Sequence, residues 1–134
     1  MIIKVIPDKE KTKSILILVK ERESFVSTID SEKFPTNAAE NYYEIVKELA
    51  AGLILLGGFK TIGDSAHKEL IDKLRDYDEF TEEEIIFLND LRIKRNNSSY
   101  DGKKIDPSYL KNNKAMILEI IEKLKSTILK NLSN

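Results

Sequence analysis

Apolar side chains recur along this chain at steps of three and four residues, in five stretches separated by proline, glycine and acidic turns. That spacing collects them on one face of an α-helix, so the pattern predicts five helical segments. The first starts at Pro7 and Asp8 and carries Ile15, Leu18, Val19, Phe25, Val26 and Ile29. Pro35 then breaks the chain. Thr36 is placed to cap a second helix, in which Tyr42, Val46, Leu49, Leu53 and Leu56 alternate steps of four and three, the seam of a helix packed lengthwise against others. Gly57 and Gly58 end it, because glycine takes the left-handed conformation of a helix terminus without a Cβ clash. A third, shorter helix is expected from Asp64, with Leu70, Ile71 and Leu74 as its apolar face.

The fourth helix has the clearest start signal. Thr81 and Glu84 have the spacing of a capping box, Phe80 and Ile85 that of a hydrophobic staple, and Glu82, Glu83 and Glu84 suit the positive end of the helix dipole. Gly102 marks its end. Asp106 caps the last helix with Pro107 in its first turn and Ile105 and Leu110 as a second staple, and Ile117, Ile121, Leu124 and Ile128 continue its seam. No stretch alternates in the manner of a strand, and the connections are short. The expected fold is therefore all-α, an antiparallel, up-and-down bundle of four to five helices in a single domain spanning residues 1–134.

Composition narrows the chemistry. With 41% hydrophobic and 34% charged residues the chain has the make-up of a folded domain and not of a disordered one. It contains no Cys and one His, which removes disulfides, cysteine zinc sites and histidine-pair metal centres from consideration, so no metal or cofactor is expected. Met1 to Ile6 is too short an apolar run for a signal peptide, and no stretch approaches the roughly 18 apolar residues of a membrane span. A cytoplasmic protein is the resulting expectation. A net charge of −1 gives no global attraction to nucleic acid, so any such role needs a local basic patch.

Four places carry candidate chemistry. Gly57-Gly58-Phe59-Lys60-Thr61 has the glycines and lysine of a phosphate loop, but lacks both a glycine directly before the Lys and a strand leading in, and reads as a C-cap followed by a turn. His67 falls at the start of the third helix, where the dipole favours neutral imidazole and free amides attract anions; it is either a base or an ordinary surface residue. Of the adjacent Tyr42 and Tyr43, only one can join the seam; Tyr42 fits it, which leaves Tyr43 near a surface or a subunit interface.

The fourth place is the segment from Leu91 to Lys104. It holds Arg92, Lys94, Arg95, Lys103 and Lys104 against the single carboxylate of Asp101. Cations at a helix end complement the dipole, but Arg95 lies four residues after Leu91 and seven after Leu88, and so prolongs the apolar stripe. An Arg aimed into such a seam needs a carboxylate, a carbonyl or a bound phosphate. Asn96, Asn97, Ser98 and Ser99 follow it, poor helix formers whose side chains compete for the backbone. Tyr100 comes next.

In Leu91-Arg92, Arg95-Asn96 and Tyr100-Asp101-Gly102, and more loosely in Tyr42-Tyr43-Glu44 and Gly58-Phe59-Lys60-Thr61, the chain resembles the HEPN family (higher eukaryotes and prokaryotes nucleotide-binding), in particular an archaeal-type stand-alone branch. The resemblance implies a helical bundle that binds RNA or a nucleotide. Many members are metal-independent ribonucleases acting as dimers, with an Arg, a following polar residue and a His four to six positions on. Carried over, Arg95 matches the Arg and Asn96 the polar residue, while Tyr100 stands where the family has its His. The catalytic set implied is Arg95, Asn96 and Tyr100, with His67 as an additional base, and the binding set is Arg92, Lys94, Arg95, Lys103 and Lys104. Tyrosine, with an ordinary pKa of about 10, is a poor base near neutrality, so any endoribonuclease activity is expected to be weak. Two alternatives belong to other classes: a non-catalytic structural or regulatory homodimer, and the helical partner of a separately encoded nucleotidyltransferase.

Overall fold

The computed structural model describes residues 1–134. In chain order the elements are β1 (Ile2–Lys4), α1 (Lys9–Val26), α2 (Pro35–Leu56), β2 (Phe59–Thr61), α3 (Ala66–Lys73), a short 3₁₀ turn, α4 (Glu82–Asp101) and α5 (Pro107–Leu132). The five helices form an all-α bundle, and no helix is long and apolar enough to cross a membrane. The two three-residue strands correct the expectation of a strand-free chain. They pair antiparallel, with Ile3 opposite Lys60, and turn the segment read as a C-cap and turn into a small ribbon against α2.

Most terminal signals act as read. Asp8 caps α1 by accepting from the Lys11 amide, Asp106 caps α5 through Ser108, and both halves of the Thr81–Glu84 capping box are present. Three differ. The α2 cap is Phe34 with Pro35 as the first helical residue, and the Thr36 hydroxyl instead accepts from the Ile105 amide at 2.9 Å, tying the start of α2 to the approach of α5. Gly58, and not Gly57, takes the positive φ, at 85°. The third helix starts two residues later than Asp64, after the Gly63–Ser65 turn.

Cross-helix pairs give the directions. Thr12 Oγ1 donates to the Gly52 carbonyl at 3.0 Å and Arg22 forks onto Glu48, so α1 and α2 run antiparallel. Ser98 bonds Glu40, which sets α4 antiparallel to α2. Lys123 on Glu84 and Tyr109 on Asp90 set α5 antiparallel to α4. The long helices thus alternate up and down, and α2 packs against all four other helices. This central place explains its composition: Tyr42, Tyr43, Ile45, Val46, Leu49, Leu53 and Ile54 are all buried, well beyond one seam. Tyr43, expected near a surface, is only 1% exposed, because α3 and α4 cover the side of α2 that a two-helix seam would leave open. By contrast α1 is a peripheral helix. It buries only Thr12, Val19 and Val26 at seven-residue steps, and leaves Leu18 and Phe25 of its expected seam exposed.

Candidate anion-binding site

The carboxyl-terminal half of α4 reaches past the start of α3, and their junction is the site. Poor helix formers make up much of this part of α4, yet the helix holds through Asp101. Ser98 Oγ donates back to the Arg95 carbonyl of its own helix at 2.9 Å, with Glu40 of α2 3.3 Å away, and Ser99 Oγ donates to Glu40 at 3.0 Å, which ties the end of α4 to α2. Gly102, with φ of 67°, then closes the helix in the left-handed conformation.

Helical continuation places Arg92, Asn96 and Tyr100 on one edge of α4, where they line a cleft of about 410 Å³ together with Gly63, Asp64, Ser65, Ala66, His67 and Lys68. His67 thus shares a cleft with Arg92, Asn96 and Tyr100 within one chain. Arg92 is half-buried and its Nε donates to Asn89 Oδ1 at 3.2 Å. Arg95 is half-buried over the face of Tyr43, 5.5 Å from the ring centroid, and its Nη1 donates to Asn96 Oδ1 at 3.3 Å. The sequence required a carboxylate, carbonyl or phosphate for this Arg; the protein supplies an aromatic face and an amide, a weaker cation–π arrangement. Neither Arg92 nor Arg95 makes a salt bridge with any carboxylate of the chain.

Two further features point to an anion. The amides of His67 and Lys68, in the first turn of α3, have no acceptor, and Ser65 contributes no capping side chain. The Tyr43 hydroxyl is buried without a hydrogen-bond partner, in the field of Arg95 and Arg92, and burial pushes its pKa up to about 12 despite those cations. The Tyr43 ring also touches His67, with centroids 6.4 Å apart and planes tilted by 58°. Burial, then Lys47 and Arg95, hold the His67 imidazole below its ordinary pKa, so it is neutral at neutral pH.

The remaining sequence candidates lie elsewhere. Lys94, Lys103 and Lys104 line a separate cavity of about 270 Å³ with Asn97 and Tyr109, and Lys94 Nζ sits 5.0 Å from the Tyr109 centroid. The basic segment is thus divided between two sides of α4. Lys68 and the Gly63–Ser65 turn were not among the sequence candidates, and Tyr43, singled out there through the Tyr42-Tyr43 pair, was placed near a surface and not behind the site. Compared with models of known protein families, with curated proteins and with solved structures, the chain matches none.

Proposed function

We propose that this chain binds a phosphate of RNA or of a nucleotide in the cleft between α3 and α4. The observation that carries this reading is the neighbouring pair of half-buried guanidinium groups, Arg92 and Arg95, without a carboxylate for either. Cations withdrawn from water are costly unless an anion repays the lost hydration, and a phosphate accepts from guanidinium forks and helix-start amides alike. In this reading Arg92, Asn96, Tyr100 and the free amides of α3 hold phosphate oxygens, while Arg95 adds positive field and positions Asn96.

The same groups suit a metal-independent endoribonuclease of the HEPN type. Neutral His67 takes the proton of a ribose 2′-hydroxyl, whose oxygen forms a bond to the adjacent phosphorus. The P–O5′ bond breaks and the departing oxygen takes a proton from water, while Arg92 opposes the charge that builds on the phosphate, in the role that the resemblance gave to Arg95, which packs over Tyr43 and does not line the cleft. A 2′,3′-cyclic phosphate and a 5′-hydroxyl result. Tyr100 serves as a hydrogen-bond donor.

The protein has one histidine, so a single imidazole resonance reports on the site. Titrating it by NMR with and without a ribonucleotide should show its pKa rise on binding, and Arg92→Ala should abolish that rise. Labelled RNA in excess EDTA, with fragment ends identified, tests cleavage. An imidazole that titrates identically with and without RNA or nucleotide excludes this site as the phosphate-binding one.

A second reading, a homodimer, is favoured by a separate observation. Ile86, Ile93 and Tyr100 are exposed at seven-residue steps along α4, a helix acidic in its first turn and carrying Arg92, Lys94 and Arg95 in its second half. Two such helices paired antiparallel would match apolar stripes and set the acidic first turn of each toward Arg92, Lys94 and Arg95 of the other. Ile93→Glu should then convert a dimer to a monomer in sedimentation measurements.

A further inference from the structure

The anion cleft has an apolar neighbour. His67 and Ala66 line both the cleft and a second cavity of about 240 Å³ enclosed by α1, α2, β2 and α3. Its apolar wall is formed by Ile15, Ala51, Ile54, Leu55, Phe59 and Leu70. Phe59 is held in place by Lys73, whose Nζ lies 4.1 Å from the ring centroid. Of its charged lining, Glu48 is paired with Arg22 at 2.8 Å and Lys47 with Glu44 at 2.9 Å, which leaves Lys11 and Lys60, both exposed, as the cations without a carboxylate.

An apolar slot with cations at its edge fits a flat apolar body carried on an anionic chain. It lies below the roughly 300–1,000 Å³ of pockets for drug-sized ligands, a size for one heterocycle and little more. Ala66 and His67 stand between it and the guanidinium cleft, so a ligand seated here has Arg92 as its neighbour across His67.

We propose that this cavity is the base subsite of the phosphate site: a nucleotide seats its heterocycle beside Phe59, among Ile15, Ala51 and Leu55, and its phosphate across His67 at Arg92. The proposal rests on the phosphate reading of the cleft and adds its substrate class, a nucleotide recognised through its base as well as its phosphate. Lys11 and Lys60 are then placed for a neighbouring phosphate when that nucleotide lies within RNA.

The test compares AMP with ribose 5-phosphate, which differ only in the base. Calorimetry on the full chain should show AMP binding about tenfold more tightly, the scale of a base packed on an aromatic wall. Ala51→Leu, which fills the slot, should bring AMP down to the affinity of ribose 5-phosphate and leave the latter unchanged. On the unaltered protein, AMP but not ribose 5-phosphate should shift the methyl resonances of Ile15, Ala51 and Leu55, a measurement independent of whether the variant folds. Equal affinity for the two ligands overturns the base subsite while leaving the phosphate reading in place. Tighter AMP binding that leaves those methyl groups unmoved overturns it as well. Binding of neither ligand overturns the proposal together with the reading beneath it.

Discussion

Tyr43 shows how a single atom ties stability to the site. Its hydroxyl is buried without a partner, and an unsatisfied buried donor costs about 1–3 kcal/mol. Tyr43→Phe removes that cost, so the ligand-free protein should become more stable by about 1 kcal/mol in urea melts. If the hydroxyl serves the ligand through Arg95, the same variant binds nucleotide less well, a combination that a purely structural tyrosine would not produce. His67 gives a second handle. Its pKa is lowered by burial, so in the folded state it binds a proton less readily than in the unfolded chain. Its contribution to stability is therefore full above the unfolded value of about 6.5 and is lost as pH falls through that value toward the folded one. His67→Gln should flatten the fall in urea midpoint across this window. Glu84 acts at lower pH: burial opposes its charge, but the Thr81 amide and Lys123 outweigh burial and hold its pKa low, so its contribution disappears only in the carboxylate range.

Among the elements, two glycines with positive φ separate backbone strain from crowding. Gly102 ends α4 with open space where a Cβ would stand, whereas a Cβ on Gly58 would meet the Val5 carbonyl oxygen at 3.1 Å. Both positions cost conformational strain on substitution, about 1 kcal/mol, and only Gly58 adds a clash with backbone that the β1–β2 ribbon holds in place. Gly58→Ala should therefore lower the thermal midpoint more than Gly102→Ala. The end of α4 depends on Glu40 in a comparable way. Glu40→Ala removes the acceptor of Ser99 and leaves Ser98 only the Arg95 carbonyl of its own helix, so amide exchange from Ser98 to Asp101 should quicken.

For the whole molecule, the decisive feature is that α2 serves every other helix. One cluster of 26 buried side chains runs through the bundle, and Leu49 is wholly enclosed within it. Leu49→Ala should cost about 3 kcal/mol, and far-ultraviolet and tyrosine signals should still unfold together, because no helix has a core of its own to retain. The site inherits rigidity from the same arrangement. Arg92 and Asn96 belong to α4, His67 to α3 and the Tyr43 ring that touches His67 to α2, so the cleft and its backing are held by three elements packed around one core.

The order of the helices, the caps of α1, α4 and α5 and the all-α class followed from local physics alone. Capping boxes, staples, prolines and glycines act on their own neighbours within a few residues, and their meaning survives in any surroundings. The motif on α4 was legible too, as a cation prolonging an apolar stripe and a polar run where a helix should weaken. What surrounds that motif depended on distant parts of the chain. Burial of Tyr43 needed α2 to be covered on every side, the tie from Ser99 at the end of α4 needed Glu40 from 59 residues away, and the β1–β2 pair needed the two ends of a long excursion to meet. Above all, whether His67 stands beside Arg92 is a matter of how α3 packs on α4, a contact between surfaces that no spacing along either helix encodes.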